Sequence, residues 1–207
     1  MFVHLKQYLE VTEEFFQNEI ESLQSISKNH LIRFGYSGSE LYSSDISILE
    51  ALCRPENDEH FYWLVTFESR FLNILRRSLF VTAYSTFEHF LMDLCEYAKN
   101  KFQLNLSVKD FPGNGIRKAR DYLVNVGNFE VPSGKVWQEI LAYNKLRNCI
   151  VHNGSELEKC THAKFLTSYV SHHPHLSIEE DGEVWFDRGF CEEALENFDI
   201  FVKEIKW

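Results

Sequence analysis

The chain has 207 residues, of which 44% are hydrophobic, including 18 Phe and 9 Tyr. This composition supports one substantial core and excludes a disordered or collagen-like chain. The formal net charge of -10 argues against broad, sequence-independent binding to nucleic acid, because that mode needs many Lys and Arg contacts with phosphates. A short, local contact with RNA remains compatible with this charge.

No segment of the sequence predicts a membrane span. The apolar run Leu79-Phe80-Val81 is followed by Thr82 and Ser85 and is far shorter than the roughly 18 residues that a span requires. The first residues lack the basic start, apolar stretch and small-residue cleavage site of a secretory signal. We therefore expect a soluble, cytoplasmic protein without a membrane partner.

Helical periodicity dominates the first half of the chain. Residues 3–27 show an amphipathic helical pattern, residues 33–44 predict a loop, and residues 45–53 predict a short helix. The long segment that follows lacks Gly and Pro, and its apolar residues recur at helical spacings. It predicts a helix over 58–100, either continuous or bent.

Glycine and proline mark the next boundaries. A turn cluster at 110–115 precedes a predicted helix over 116–126, and a second helix is predicted over 136–152. Asn153 and Gly154 signal its end, because these residue types most readily adopt the left-handed conformation of a helix cap.

Two local patterns predict the elements after this helix. The serine and the glutamate of Ser155-Glu156-Leu157-Glu158 match a capping box, which predicts a helix from Ser155 to about Val170. The dipeptide Asp181-Gly182 lies between two partly alternating segments, 176–180 and 183–186, and predicts a β-hairpin.

The last segment, 190–205, returns to helical periodicity. The predicted fold class is therefore mainly all-α, with a short β-hairpin near the C-terminus. We expect a single domain over 1–207 whose core spans roughly 58–170. The helices within 1–53, and the hairpin and helix within 171–207, are then elaborations of that core.

The cysteines and histidines predict neither disulfides nor a metal site. The five cysteines are Cys53, Cys95, Cys149, Cys160 and Cys191. Their odd number, wide spacing and lack of a C-x-x-C pair indicate reduced, mostly buried thiols. The group Cys160, His162, His172, His173 and His175 matches no standard ligand spacing. We predict no metal and no cofactor, and a metal-dependent hydrolase is the least supported alternative.

The segment Arg147-Asn148-Cys149-Ile150-Val151-His152 resembles the signature of HEPN domains. In that family an Arg near the end of a late core helix is followed, after four to six residues, by a His, commonly with a polar residue directly after the Arg. Ser85 and Glu88 lie on the preceding long helix, where many HEPN proteins place a Ser and a Glu. The resemblance covers roughly 72–166.

This resemblance implies an HEPN-like up-and-down helical bundle. The catalytic members of the family are metal-independent endoribonucleases that act as homodimers, with the two signatures in one cleft. It further implies a toxin or defence effector restrained by an antitoxin or another regulatory protein. The alternative is a catalytically inactive HEPN-like module that mediates interactions or senses nucleotides.

The two outer residues of the signature suit RNA cleavage by attack of the 2′-hydroxyl. Histidine side chains titrate near neutral pH, so His152 can take the 2′-hydroxyl proton or donate one to the leaving oxygen. The planar guanidinium of Arg147 can hold the scissile phosphate and stabilise its developing charge. Both residues, together with Asn148, are the predicted catalytic set.

Helix geometry separates Arg147 from His152, because five residues along a helix leave the two side chains about 140° apart around its axis. Asn148 and His152 share a face, and Asn144 extends it by one turn. We therefore expect Asn148 to orient His152. Arg147 would reach the phosphate by its length, by loosening of the last helical turn, or by acting with the histidine of a second subunit.

Structural roles are the alternatives for the same residues. Arg147 could cap helix carbonyls or pair with Glu88, while His152 could simply interact with the helix dipole. Glu88 could orient Arg147, tune His152 or form a structural pair. A weaker prediction concerns contacts with the RNA backbone, which would involve Arg117, Lys118, Arg120 and Lys145; a solvated helix face is the alternative.

Overall fold

The computed structural model describes residues 2–33 and 70–207, with side chains described for 2–22 and 70–207. Its helices are α1 (Val3–Arg33), α2 (Leu72–Phe102), α3 (Gly115–Asn125), α4 (Lys135–Asn153), α5 (Ala163–His172) and α6 (Phe190–Glu204). Strands β1 (Leu176–Ile178) and β2 (Val184–Phe186) lie between α5 and α6. The predicted mainly helical fold with a C-terminal hairpin is confirmed.

Several predicted elements lie outside the described residues. They are most of the loop over 33–44, the helix over 45–53 and the first part of the helix over 58–100. From Leu72 onward the long helix is continuous to Phe102. Within the described part of the chain, no helix has the length and apolarity needed to cross a membrane.

The backbone forms two compact units, one of residues 1–6 with 76–207 and one of residues 7–75. The described residues of the second unit are helical segments of α1 and of the beginning of α2. The predicted catalytic, supporting and basic residues all belong to the first unit. The prediction of a single domain is untested.

An aromatic core joins α2, α4 and α6. The ring of Phe198 stacks on Phe87, with centroids 4.6 Å apart, and lies 5.7 Å from Tyr143. Phe80 contacts Phe190 at 5.2 Å. All five rings are fully buried, and tilted or offset ring pairs of this kind add to the stabilisation from burial. Helix α6 therefore forms part of the core, whereas the sequence predicted it to be an elaboration outside the core.

The hairpin is antiparallel, with Leu176 opposite Phe186, and Gly182 in its turn has a φ of 81°. It pairs with the segment that follows α4, since the Val184 N–H donates to the Ser155 carbonyl at 3.1 Å. The Leu157 N–H likewise donates to the Gly182 carbonyl at 3.1 Å. The hairpin thus holds the chain where it leaves α4.

The predicted helix from Ser155 to about Val170 is wrong at its start. Ser155 is fully buried with a φ of 76°, so its backbone is not that of a helix cap. Its hydroxyl accepts a hydrogen bond from Arg77 instead. Only a 3-10 turn, Leu157–Lys159, follows, and α5 begins at Ala163. A long-range partner overrides the local capping pattern here.

The position of Phe198 generates a stability prediction. Phe198→Ala should lower the free energy of unfolding by about 3–5 kcal/mol, because it leaves a cavity among aromatic side chains. Urea denaturation of the wild type and the variant measures the difference. The matched control is Phe165→Ala, which removes a ring that is 43% exposed and should cost less than about 1 kcal/mol. Equal losses in the two variants would contradict this description of the core.

Candidate active site

Helix α4 has one buried face and one accessible face. The buried residues are Trp137, Ile140, Ala142, Tyr143, Leu146 and Cys149. On the other side, Lys145, Asn148 and His152 occupy positions i, i+3 and i+7, which share a face of a helix. Lys145 is half-buried, whereas Asn148 and His152 are exposed. We call these three residues the α4 stripe.

The helix stays regular to its end. Gly154 follows Asn153 in the left-handed conformation, with a φ of 62°, and its N–H donates to the Cys149 carbonyl. This is the predicted end of the helix. The last turn is not loosened, so Arg147 and His152 remain about 140° apart around the axis.

Arg147 is held by its neighbour. Its Nη1 donates to Asn148 Oδ1 at 2.9 Å, while its Nε is buried without a hydrogen-bond partner among the described residues. The expected contact between Asn148 and His152 is wrong: within the described residues, Asn148 is hydrogen-bonded to Arg147 and not to His152. The bond from the Arg147 guanidinium to Oδ1 is charge-assisted and therefore stronger than a neutral one.

Asn144 is bound to α2. Its Nδ2 donates to the phenol oxygen of Tyr84 on α2 at 2.6 Å. Burial raises the pKa of Tyr84 above its ordinary value, and the hydrogen bond from Asn144 only partly opposes the shift. Asn144 keeps its position one turn before Asn148, and its side chain joins α4 to α2.

Glu88 and Ser85 lie half-buried on α2. Neither side chain forms a hydrogen bond or ion pair with Arg147 or His152 among the described residues. The negative charge of Glu88 helps to raise the pKa of Tyr84, and the positive charge of Arg147 opposes it. Both groups therefore lie near this phenol, without the direct pair considered from the sequence.

The predicted basic residues divide into two groups. Burial, and then the nearby charge of Arg117, lower the pKa of Lys145, so Arg117 on α3 and Lys145 on α4 lie close enough to interact. The Nζ of Lys145 lies 3.6 Å from the ring centroid of Phe165. Arg117 therefore lies beside Lys145 of the α4 stripe.

Arg120 and Lys118 make structural contacts instead. Arg120 Nε donates to the Pro132 carbonyl at 3.1 Å, and its guanidinium lies over the Trp137 ring. Lys118 Nζ donates to the Lys109 carbonyl at 3.0 Å. The contacts of these residues with an RNA backbone stay a prediction.

A disulfide joins Cys149 to Cys160, with their Cα atoms 5.4 Å apart. The prediction that these thiols are reduced is wrong for this pair, whereas Cys95 and Cys191 are free and buried as expected. Cys53 lies outside the described residues. The spacing of Cys149 and Cys160 matches no known disulfide motif, so the sequence could not identify the pair. The turn between residues 153 and 157 brings the two cysteines together.

Arg77 is a site residue that the sequence did not indicate. Its Nη1 donates to Ser155 Oγ at 2.6 Å and to Glu183 Oε2 at 3.1 Å, and it lies 3.5 Å from the Gly154 carbonyl. One side chain of α2 therefore binds the turn after α4 and the hairpin together. These partners are 77 to 106 residues away along the chain, so no local pattern could reveal them.

The end of α5, which carries His172 and His173, contacts α4 and α6. Its cleft of about 540 Å³ is lined by residues that include Glu139, Tyr169, His173 and Glu193. The hydroxyl of Tyr169 donates to Glu139 at 2.9 Å, and His173 Nε2 lies 3.4 Å from Glu193. Among the described residues, no group of three or more His, Cys, Asp or Glu side chains could hold a metal ion.

Comparisons of this chain with protein-family models, with curated proteins and with solved structures give no match. The HEPN assignment thus stays a prediction, and the functional interpretation depends on the signature residues and on their geometry.

The role of Arg77 can be tested by hydrogen exchange. Arg77→Ala should accelerate exchange at the amides of Ser155 and Val184 about tenfold, because a hydrogen bond to a charged donor contributes on the order of 1.5–3 kcal/mol and solvent screening at Glu183 reduces this contribution. Arg117→Ala, which removes an exposed Arg from α3, is the control. If both variants exchange at the wild-type rate, Arg77 does not hold this turn.

Proposed function

We propose that this protein is a metal-independent endoribonuclease that cleaves RNA by attack of the 2′-hydroxyl. The observation that carries the proposal is the accessible end of α4. There His152 is exposed and Arg147 is held by the exposed Asn148. Lys145 and Arg117 add positive charge nearby, in a chain whose formal net charge is -10.

Each signature residue has a separate role in the reaction. His152 removes the proton of the 2′-hydroxyl, whose oxygen attacks the phosphorus, and a histidine can also donate a proton to the leaving 5′-oxygen. Arg147 contributes guanidinium donors other than the buried Nε to the phosphate oxygens. The products are a 2′,3′-cyclic phosphate and a 5′-hydroxyl, and no step requires a metal ion.

Two copies of the chain complete the site. Because Arg147 and His152 face about 140° apart on a regular helix, one chain does not direct both at the same phosphate. In a homodimer, Arg147 of one subunit acts with the histidine of the other. Val151, which is 46% exposed beside His152, offers apolar surface for this contact. The HEPN resemblance extends the proposal to a cytoplasmic toxin or defence effector with an antitoxin or another regulator.

Substitution of the two outer signature residues tests the chemistry. Arg147→Ala and His152→Ala should each lower the rate of RNA cleavage at least about 100-fold, because they remove charge stabilisation and proton transfer respectively. Gel analysis of total cellular RNA measures cleavage, and the ends of the products should carry cyclic phosphates. His172→Ala, an exposed histidine elsewhere, should retain the wild-type rate, and excess EDTA should not change it.

Three outcomes would contradict the proposal. Wild-type protein that binds RNA without cleaving it would favour the inactive HEPN-like module. Cleavage that EDTA abolishes would favour the metal-dependent alternative. Cleavage by either signature variant at the wild-type rate would place the active site elsewhere.

Mixing the two inactive variants tests the split site. If each site combines Arg147 of one subunit with His152 of the other, every mixed dimer has one intact site and one site that lacks both residues. Equal amounts of Arg147→Ala and His152→Ala chains, unfolded and refolded together, should recover about a quarter of wild-type activity, because half of the dimers are mixed. Each variant refolded alone is the control. No recovery in the mixture would show that a complete site lies within one chain.

The positive charges of Lys145 and Arg117 predict a separate effect on RNA affinity. Lys145→Ala and Arg117→Ala should weaken RNA binding and reduce the salt dependence of log Kd by about 0.7 for each lost phosphate contact. Neither should change kcat strongly. Lys203→Ala, an exposed lysine of α6, is the matched control. Fluorescence anisotropy with a short labelled RNA measures both quantities, and an effect of Lys203→Ala as large as the other two would indicate only a loss of overall charge.

A further inference from the structure

The disulfide lies inside the candidate site. Cys149 is the last buried residue of α4, and the turn beyond it carries Val151 and His152, which are both exposed. That turn has no buried side chain to hold it in place. The bond from Cys149 to Cys160 closes a loop that contains His152, so it anchors the part of the helix that packing leaves unsupported.

The loop between Cys149 and Cys160 can accommodate the pair both as a disulfide and as two thiols. The Glu156 carbonyl oxygen lies 3.2 Å from Cys160 Sγ and 3.7 Å from Cys149 Sγ, so it can accept a hydrogen bond from either thiol once the pair is reduced. The free thiol of Cys95 has a carbonyl acceptor of this kind at 3.4 Å. Reduction therefore leaves no sulfur without a polar partner.

The surrounding turn has contacts that do not depend on the disulfide. Asn153 Nδ2 donates to the Lys159 carbonyl at 3.0 Å, and Ser155 is bound by Arg77. These contacts hold the turn from 155 to 159 in the reduced protein as well. Reduction of the disulfide therefore loosens mainly the last turn of α4, which begins at Cys149 and includes His152.

We propose that Cys149 and Cys160 form a reversible redox site, whose oxidised state orders His152 and whose reduced state lets the end of α4 fray. Cys160 is the sulfur that reacts with a reductant, since it is 8% exposed against 2% for Cys149 and lies between the exposed Lys159 and Thr161. The effect of this switch on catalysis rests on the proposed function. The structural change itself does not depend on that function.

The exchange reaction needs a dithiol as its second reactant. A thiolate of the dithiol attacks Cys160 Sγ, the bond between the two cysteines breaks, and Cys149 leaves as a thiolate that takes a proton. The second thiol of the reductant then displaces Cys160. Two electrons pass from the dithiol, which becomes a disulfide, to the pair, which becomes two thiols. A disulfide oxidant reverses both steps.

Dithiothreitol titration of the folded, full-length protein tests the site. Alkylation followed by peptide mapping should show Cys149 and Cys160 changing together between linked and free states, reversibly on addition of oxidised dithiothreitol. Hydrogen exchange at residues 150–154 should become about tenfold faster on reduction, as expected when the closure of a short loop is lost. Cys160→Ser should exchange at the reduced rate with or without reductant, whereas Cys95→Ser should respond like the wild type.

Two structural results would overturn the redox site. In one, the pair stays linked under dithiothreitol until the protein unfolds, which is the behaviour of a permanent structural disulfide. In the other, the pair is reduced but exchange at 150–154 does not change. Because the reduced wild type is measured directly, both results can be read even if Cys160→Ser does not fold.

RNA cleavage provides the catalytic part of the test. The oxidised protein should cleave with a kcat about tenfold above that of the reduced protein, because an ordered general base raises the fraction of productive complexes. A faster reduced protein would overturn the proposed direction of control. If neither form cleaves RNA, the proposed function fails, and the exchange data alone decide whether the redox site exists.

Discussion

Burial of one face of α4 constrains the rest of the candidate site. Tyr143 is enclosed by Phe80 of α2 and by Phe190 and Phe198 of α6, so the helix cannot rotate without exposing aromatic surface. Rotation by even a quarter turn would bury Asn148 or His152 and expose core residues. The aromatic core therefore determines which signature residues reach solvent, and the chemistry proposed for them depends on that packing.

The end of α4 is supported differently from its middle. Cys149 is the last buried residue of α4, and the chain that follows the helix is held by Arg77, by the hairpin and by the disulfide to Cys160. Each of these contacts comes from a different part of the chain. A helix end supported in this way can present an exposed histidine in a defined position, and a change in one support can alter that position without disturbing the core.

Two basic side chains lie close together on α3 and α4 of this acidic protein. The overall charge disfavours non-specific binding to nucleic acid, while Arg117 lies close enough to Lys145 for their charges to interact. Arg120 and Lys118 were predicted from the sequence to act together with Arg117. Their side chains donate hydrogen bonds to backbone carbonyls instead.

Local patterns in the sequence determined the helices of the described region, the hairpin turn and the end of α4 at Gly154, because periodicity, turn residues and caps act between near neighbours. They also identified the signature and its division between two helix faces. Only the tertiary structure decided that Ser155 binds Arg77 instead of capping a helix, that Asn148 holds Arg147 instead of His152, and that Cys149 pairs with Cys160. These contacts depend on competition among partners, some of them far apart in the chain, and the packed core determines which partner comes within reach.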